Sequence, residues 1–156
     1  MIFLSSSLSL SSALSSATAK KSLSVLLVDD EADIIKILQL ILKKHDVIVS
    51  AFTDPTKALS HFESNMEQYR VVVSDIKMRE MNGFEFTSQV KRLSPGIRVL
   101  LMTAFDINKE DLENGMKEVE IDGFIRKPFA LENFAHVIKR HLGDSDMPDC
   151  EPSLVF

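Results

Sequence analysis

Short apolar runs alternate with amphipathic stretches five times along the middle of this chain, and few folds accommodate that alternation. The run "LSVLLV" (23–28) is continuous, as a strand buried on both faces requires. "ADIIKILQLILKK" (32–44) follows with apolar residues at Ile34, Ile37, Leu38 and Ile41, a helical stripe. "DVIVSAF" (46–52) is a second strand, and Asp54-Pro55 then reads as an N-cap with proline at the first helical position. Pro55, Ala58, Leu59 and Phe62 continue that helix face. "YRVVVS" (69–74) precedes "GFEFTSQVKRL" (83–93), whose stripe is Phe86, Val90 and Leu93. "IRVLLMT" (97–103) precedes a weaker helix at 106–119 with Leu112, Met116 and Val119 on one side. "GFIR" (123–126) precedes "ALENFAHVIKRHL" (130–142), with Leu131, Phe134, Ala135 and Ile138 together. Five consecutive strand–helix units predict a parallel sheet with helices on both faces.

The remainder of the chain is different in kind. Residues 1–21 are Ser-rich and acid-poor, and no positive region opens them as a secretory signal would require, so they are expected to be a disordered leader; "ATA" at 17–19 leaves a targeting segment as the alternative. Residues 143–156 carry Asp144, Asp146, Asp149 and Glu151 with no base, and are expected to be a disordered acidic tail. One folded domain, 22–142, lies between them. Its 156-residue parent chain is 45% hydrophobic and 26% charged, enough to bury a core without covalent staples. Cys150 is the one cysteine, so no intramolecular disulfide forms, which is compatible with a reducing compartment. The net charge of −5 gives no general attraction for nucleic acid, and no stretch is apolar and long enough to span a bilayer.

In an open parallel sheet, ligands bind beyond the carboxyl ends of the strands. Here each run ends in polar residues at that edge. The first ends in Asp29-Asp30, the third in Ser74-Asp75, the fourth in Thr103 and the fifth in Arg126-Lys127. Carboxylates crowded on one rim repel each other, and a hard divalent cation with oxygen ligands relieves the repulsion. Lys127 adds positive charge and Thr103 a hydroxyl donor. Metal, lysine, donor and an in-line carboxylate nucleophile are the parts that phosphoryl transfer to an aspartate needs.

With "VDDE" after the first strand, "SDIKMREMNGFEF" after the third, "MTA" after the fourth and "FIRKPF" around the fifth, the chain resembles a two-component response regulator receiver domain of the CheY-like kind over residues 22–142. The resemblance implies a doubly wound (βα)5 flavodoxin-like sheet with strand order 2-1-3-4-5. It implies Asp75 as phosphoacceptor. Asp29 and Asp30, with Asp75 and the Lys77 backbone carbonyl, would hold Mg2+ or Mn2+. Lys127 would contact the phosphoryl oxygens and Thr103 would hydrogen-bond them. Phe124 would change rotamer with Thr103, the small Ala104 would sit beside the site, and Lys127-Pro128 would be cis. Gly83 fits a tight turn opening the third helix. The implied role is a single-domain cytoplasmic switch that catalyses its own modification without being a turnover enzyme. Its partners would be a histidine kinase or phosphotransfer protein and a downstream protein that the sequence does not name. Arg79 stands where the family usually has proline, Phe124 lacks the commoner tyrosine hydroxyl, and Lys77 and Phe105 occupy positions that tune phosphoryl lifetime.

Two other readings share these residues. A haloacid-dehalogenase-type phosphatase also forms an aspartyl phosphate, but it requires Asp-x-Asp on the first strand and a cap domain, whereas Asp29 and Asp30 are adjacent. A phosphorylation-independent adaptor would not need the complete set of site residues. Taken singly, the acids are ordinary helix caps and loop residues, and Met78 and Met81 read as packing. His45, His61, His136 and His141 show no metal-binding spacing and are expected at the surface.

Overall fold

The computed structural model describes residues 24–104 and 107–143. The expected leader, Phe105 and the tail beyond Gly143 lie outside them. The chain forms β1 (Ser24–Val28), α1 (Ala32–Lys44), β2 (Ile48–Phe52), α2 (Pro55–Asn65), β3 (Val71–Asp75), α3 (Gly83–Leu93), β4 (Arg98–Thr103), α4 (Lys109–Glu118), β5 (Gly123–Arg126) and α5 (Leu131–His141). The five strands make one parallel sheet in the order β2-β1-β3-β4-β5, as expected.

Strand periodicity sorts the side chains into two cores. Val25, Leu27, Val71, Val73, Leu100 and Met102 face α1 and α5, where Leu38, Leu42, Phe134 and Ile138 cover them. Leu26, Val28, Val72, Val99 and Leu101 face the opposite way, toward Ala58, Phe62, Phe86, Val90 and Leu112 of α2, α3 and α4. All five residues of β1 and of β3 are buried, which accounts for the continuous apolar runs Val25–Val28 and Val71–Val73 within them. Asp54 caps α2 by accepting from the Thr56 and Lys57 amides. Asn82 and Glu85 form a reciprocal capping box at the start of α3.

Several expected faces are corrected. In α1 the buried stripe is Ile35, Leu38, Ile41 and Leu42, while Ile37 and Leu40 are 47% and 68% exposed. That helix is apolar on most sides, so spacing alone fits two neighbouring stripes. In α4, Met116 is exposed and Gly115 takes the buried place. A Cβ at Gly115 would stand 2.5 Å from the Phe84 ring, so the aromatic ring fills the space a larger residue would occupy. In α5, Leu131 is exposed and Val137 is buried. The third strand begins at Val71 rather than Tyr69 and includes Asp75, and α4 begins at Lys109, capped by Asn108, rather than at 106.

Nor do the histidines simply sit at the surface. His45 Nε2 lies 2.6 Å from Glu132 Oε2, and His61 Nε2 lies 2.6 Å from the Tyr69 hydroxyl. His136 Nδ1 is buried with no hydrogen-bond partner among the described residues. Burial, and then the Arg98 charge, holds the half-buried His141 imidazole below its ordinary pKa.

Candidate functional site

The sheet order reverses direction between β1 and β3, which opens a crevice at their carboxyl ends. Val28 pairs with Ser74, so Asp29 and Asp75 stand at the same level on either side of it. Backbone bonds continue the ladders past the strand ends. Asp29 N donates to Phe52 O, Ile76 N to Met102 O, and Lys127 N to Thr103 O at 2.7 Å. These bonds fix the starting points of three loops, and so the side chains they carry.

Asp29 is fully buried, and both of its oxygens are used. Oδ1 accepts the Glu31 amide at 2.9 Å, and Oδ2 accepts Lys127 Nζ at 2.9 Å. The same ammonium lies 3.3 Å from Asp75 Oδ1. Asp30 is only partly covered; its Oδ2 accepts the Arg79 amide at 3.3 Å. One oxygen from each of Asp29, Asp30 and Asp75 lies within 4.8 Å of the others. The site residues from β1, β3 and β5 thus meet at one point.

Electrostatics follow from this crowding. Burial first, and then the Asp29 charge, raise the Asp75 pKa from 3.8 to about 6, against the opposing pull of Lys127. Burial disfavours the Lys127 ammonium, but its hydrogen bond to Asp29 and the charges of Asp75 and Asp29 outweigh that and hold its pKa above the ordinary value. One ammonium among three carboxylates leaves an excess of negative charge. A hard oxygen donor set with such an excess fits Mg2+.

Asp75 opens into a cavity of about 180 Å³ lined by Glu31, Lys77, Thr103, Ala104, Ile107 and Lys127. Thr103 is 3% exposed, and its hydroxyl donates to the Ala104 carbonyl at 3.2 Å. Phe124 is buried in the core beneath, turned inward. The Lys127-Pro128 peptide bond is cis. Gly83 is required for a different reason from the tight turn first expected. A Cβ there would stand 2.4 Å from Asp75 O and 2.9 Å from Ile76 Cα, so α3 starts directly against the backbone of Asp75.

Sequence reasoning gave no role to two residues that line the cavity: Glu31, which closes the VDDE motif, and Ile107, which no motif marks. The Arg79 amide anchors Asp30, a bond that proline could not donate, while its guanidinium is exposed with Nε 3.9 Å from the same oxygen. Glu80 follows with φ 67°, and Met81 N donates back to Arg79 O at 2.7 Å, so the loop is tied down at this point.

Comparison with known proteins agrees with this geometry. The sequence profile of the response regulator receiver domain matches residues 25–139. The transcription factor SKN7 of Saccharomyces cerevisiae is 29% identical over 140 residues, 88% of this chain and 21% of that protein. The transcriptional regulatory protein ZraR of Escherichia coli O157:H7 is 28% identical over 84% of this chain and 29% of its own length. The chain therefore spans less than a third of these curated relatives. Among solved structures, the chemotaxis protein CheY4 of Vibrio cholerae is 27% identical with a TM-score of 0.67, covering 76% of this chain and 97% of CheY4. A receiver domain from Clostridium thermocellum gives 25% identity and a TM-score of 0.69, over 78% and 95% of the two chains.

Proposed function

We propose that this chain, which belongs to the response regulator receiver domain family, takes a phosphoryl group from a phosphohistidine onto Asp75 and changes shape in response. Receiver domains are signalling domains that work with kinases or phosphotransfer proteins, and that much comes with the family. The step assigned to Asp75 is specific to this chain. The observation that carries it is the meeting of Asp29, Asp30, Asp75 and Lys127 at the switch in strand order.

In this reading an oxygen of Asp75 attacks the phosphorus in line, the P–O bond forms, the P–N bond to the donor imidazole breaks, and the imidazole takes up a proton. With its pKa at about 6, the Asp75 carboxylate is mostly ionised at neutral pH and ready to attack. Lys127 Nζ, already in reach of Asp75, meets the transferred phosphoryl oxygens. Asp29 orients that ammonium, holding it with one oxygen while the other is fixed by the Glu31 amide. Asp30 is placed by the Arg79 amide at the open side of the cluster. Mg2+ held by Asp29, Asp30, Asp75 and the Lys77 carbonyl would supply charge neutralisation as the phosphoryl group arrives.

The response runs through Thr103. Among the described residues its hydroxyl bonds only the neighbouring Ala104 carbonyl, so it is free to turn to a phosphoryl oxygen at the price of a weak contact. That turn opens room for Phe124 to leave the core and reshapes the α4–β5–α5 surface, where a downstream protein would bind. The folded unit in this account is 22–142, with Mg2+ or Mn2+ as the metal. Intact mass after acetyl phosphate and Mg2+ tests the reading. Wild type should gain one phosphoryl group and Asp75→Asn none; equal uptake by both would remove Asp75 as acceptor.

A further inference from the structure

The opposite edge of the sheet carries a second charged site that phosphoryl chemistry does not use. A cavity of about 390 Å³ lies where β3 and β4 begin and α5 ends. Arg70, Arg98 and His141 line it, together with Tyr69, Ser94 and Gly143. Both arginines are exposed, and among the described residues neither meets a carboxylate. Arg70 Nη1 donates to Leu142 O at 3.4 Å, and Arg98 Nη1 donates to His141 O. These bonds satisfy the last carbonyls of α5 and use one of each guanidinium's five donors. Asp122, whose charge reaches His141, is itself taken up by Lys91 Nζ at 3.1 Å and the Val99 amide at 2.7 Å. Two arginines without an acid partner are conspicuous in a chain of net charge −5.

The missing acid is next in the sequence. Gly143 forms part of the cavity wall and turns the chain there with φ 88°. The residues that follow, 144–151, carry Asp144, Asp146, Asp149 and Glu151 and no base. At no more than about 3.6 Å per residue, all four acids lie within roughly 30 Å of chain from the wall they leave. Tethering so short gives an effective concentration on the order of millimolar, which a free acidic peptide would have to match.

We propose that this cavity is an anion site whose occupant is the chain's own acidic segment 144–151, its carboxylates pairing with Arg70 and Arg98.

The chain's one cysteine, Cys150, carries the probe. A nitroxide attached there, in the full ¹⁵N-labelled chain at low salt, should strongly broaden the amides of Arg70, Val71, Ile97 and Arg98. Molar salt should restore those signals, because the screening length falls from about 10 Å at 0.1 M to about 3 Å at 1 M. Neutralising the segment (D144N, D146N, D149N and E151Q together) should restore them at low salt and move the side-chain NεH signals of both arginines, without touching the folded body. Arg70→Gln with Arg98→Gln should likewise restore the backbone amide signals of the cavity at low salt if α5 stays folded. Amides at the cavity no more broadened than those of β2 would overturn the proposal. So would arginine signals that ignore the neutralised segment but shift with added inorganic phosphate, which would assign the cavity to a small free anion.

Discussion

Replacing Asp75 by asparagine should make the metal-free protein more stable at neutral pH, although Asp75 is the centre of the site. Its carboxyl titrates at about 6 rather than 3.8, because burial and the Asp29 charge penalise the anion more than Lys127 relieves it. In the unfolded chain it titrates near the ordinary value. Between those limits the folded protein keeps a proton that the unfolded chain has released, so stability falls as pH rises through this window. At about 1.4 kcal/mol per pH unit, the spread from 3.8 to about 6 amounts to about 3 kcal/mol. The rim is open to water, and screening reduces the usable part to about 1–2 kcal/mol. Asparagine escapes this penalty. Urea unfolding in EDTA across the acid-to-neutral range should therefore find Asp75→Asn more stable by about 1–2 kcal/mol above pH 7, with the gap shrinking as pH falls through 6 and closing near 4. A variant no more stable than wild type at neutral pH, or an advantage that does not shrink in acid, would refute the reasoning.

The same excess of negative charge makes metal stabilising: Mg2+ at about 100 times its dissociation constant should add roughly 2.7 kcal/mol to wild type. Asp30→Ala should lose most of that gain, and a wild-type melting temperature indifferent to Mg2+ would contradict the site. Gly83→Ala drives a Cβ to 2.4 Å from the Asp75 carbonyl, where only backbone can give way. It should cost about 1–3 kcal/mol and slow phosphoryl uptake, so an unchanged thermal melt would count against the packing described. Beryllofluoride, a phosphoryl mimic, should move amide signals from Asp75 through Thr103 and Phe124 into α4 and α5. Changes confined to the neighbours of Asp75 would leave the Thr103–Phe124 route without support.

The layered fold was legible because its signals are local. A parallel strand buried on both faces needs a continuous apolar run, and Val25–Val28 and Val71–Val73 supply one in β1 and β3. The clustering of Asp29, Asp75, Thr103 and Lys127 was legible too, because the carboxyl ends of parallel strands share one edge. What escaped depends on packing between distant residues. The face α1 presents could not be chosen from a helix apolar on most sides. Gly115 is explained only by the Phe84 ring, and Gly83 only by the Asp75 carbonyl it touches. Arg79 looked like a departure at the side chain, yet it works through its amide. Arg70 and Arg98 belong to a strand edge and a strand start in sequence; only the fold brings them to the end of α5.

Chemical trapping of the acceptor tests the central claim most directly. An aspartyl phosphate is an acyl phosphate, and borohydride reduces it to homoserine, which peptide mass spectrometry locates by position. Wild type treated with acetyl phosphate and Mg2+, then with borohydride, should yield homoserine at position 75 in the tryptic peptide Val71–Lys77. Homoserine at position 29 or 30 instead, or at no position in a protein that had gained phosphoryl mass, would contradict the account.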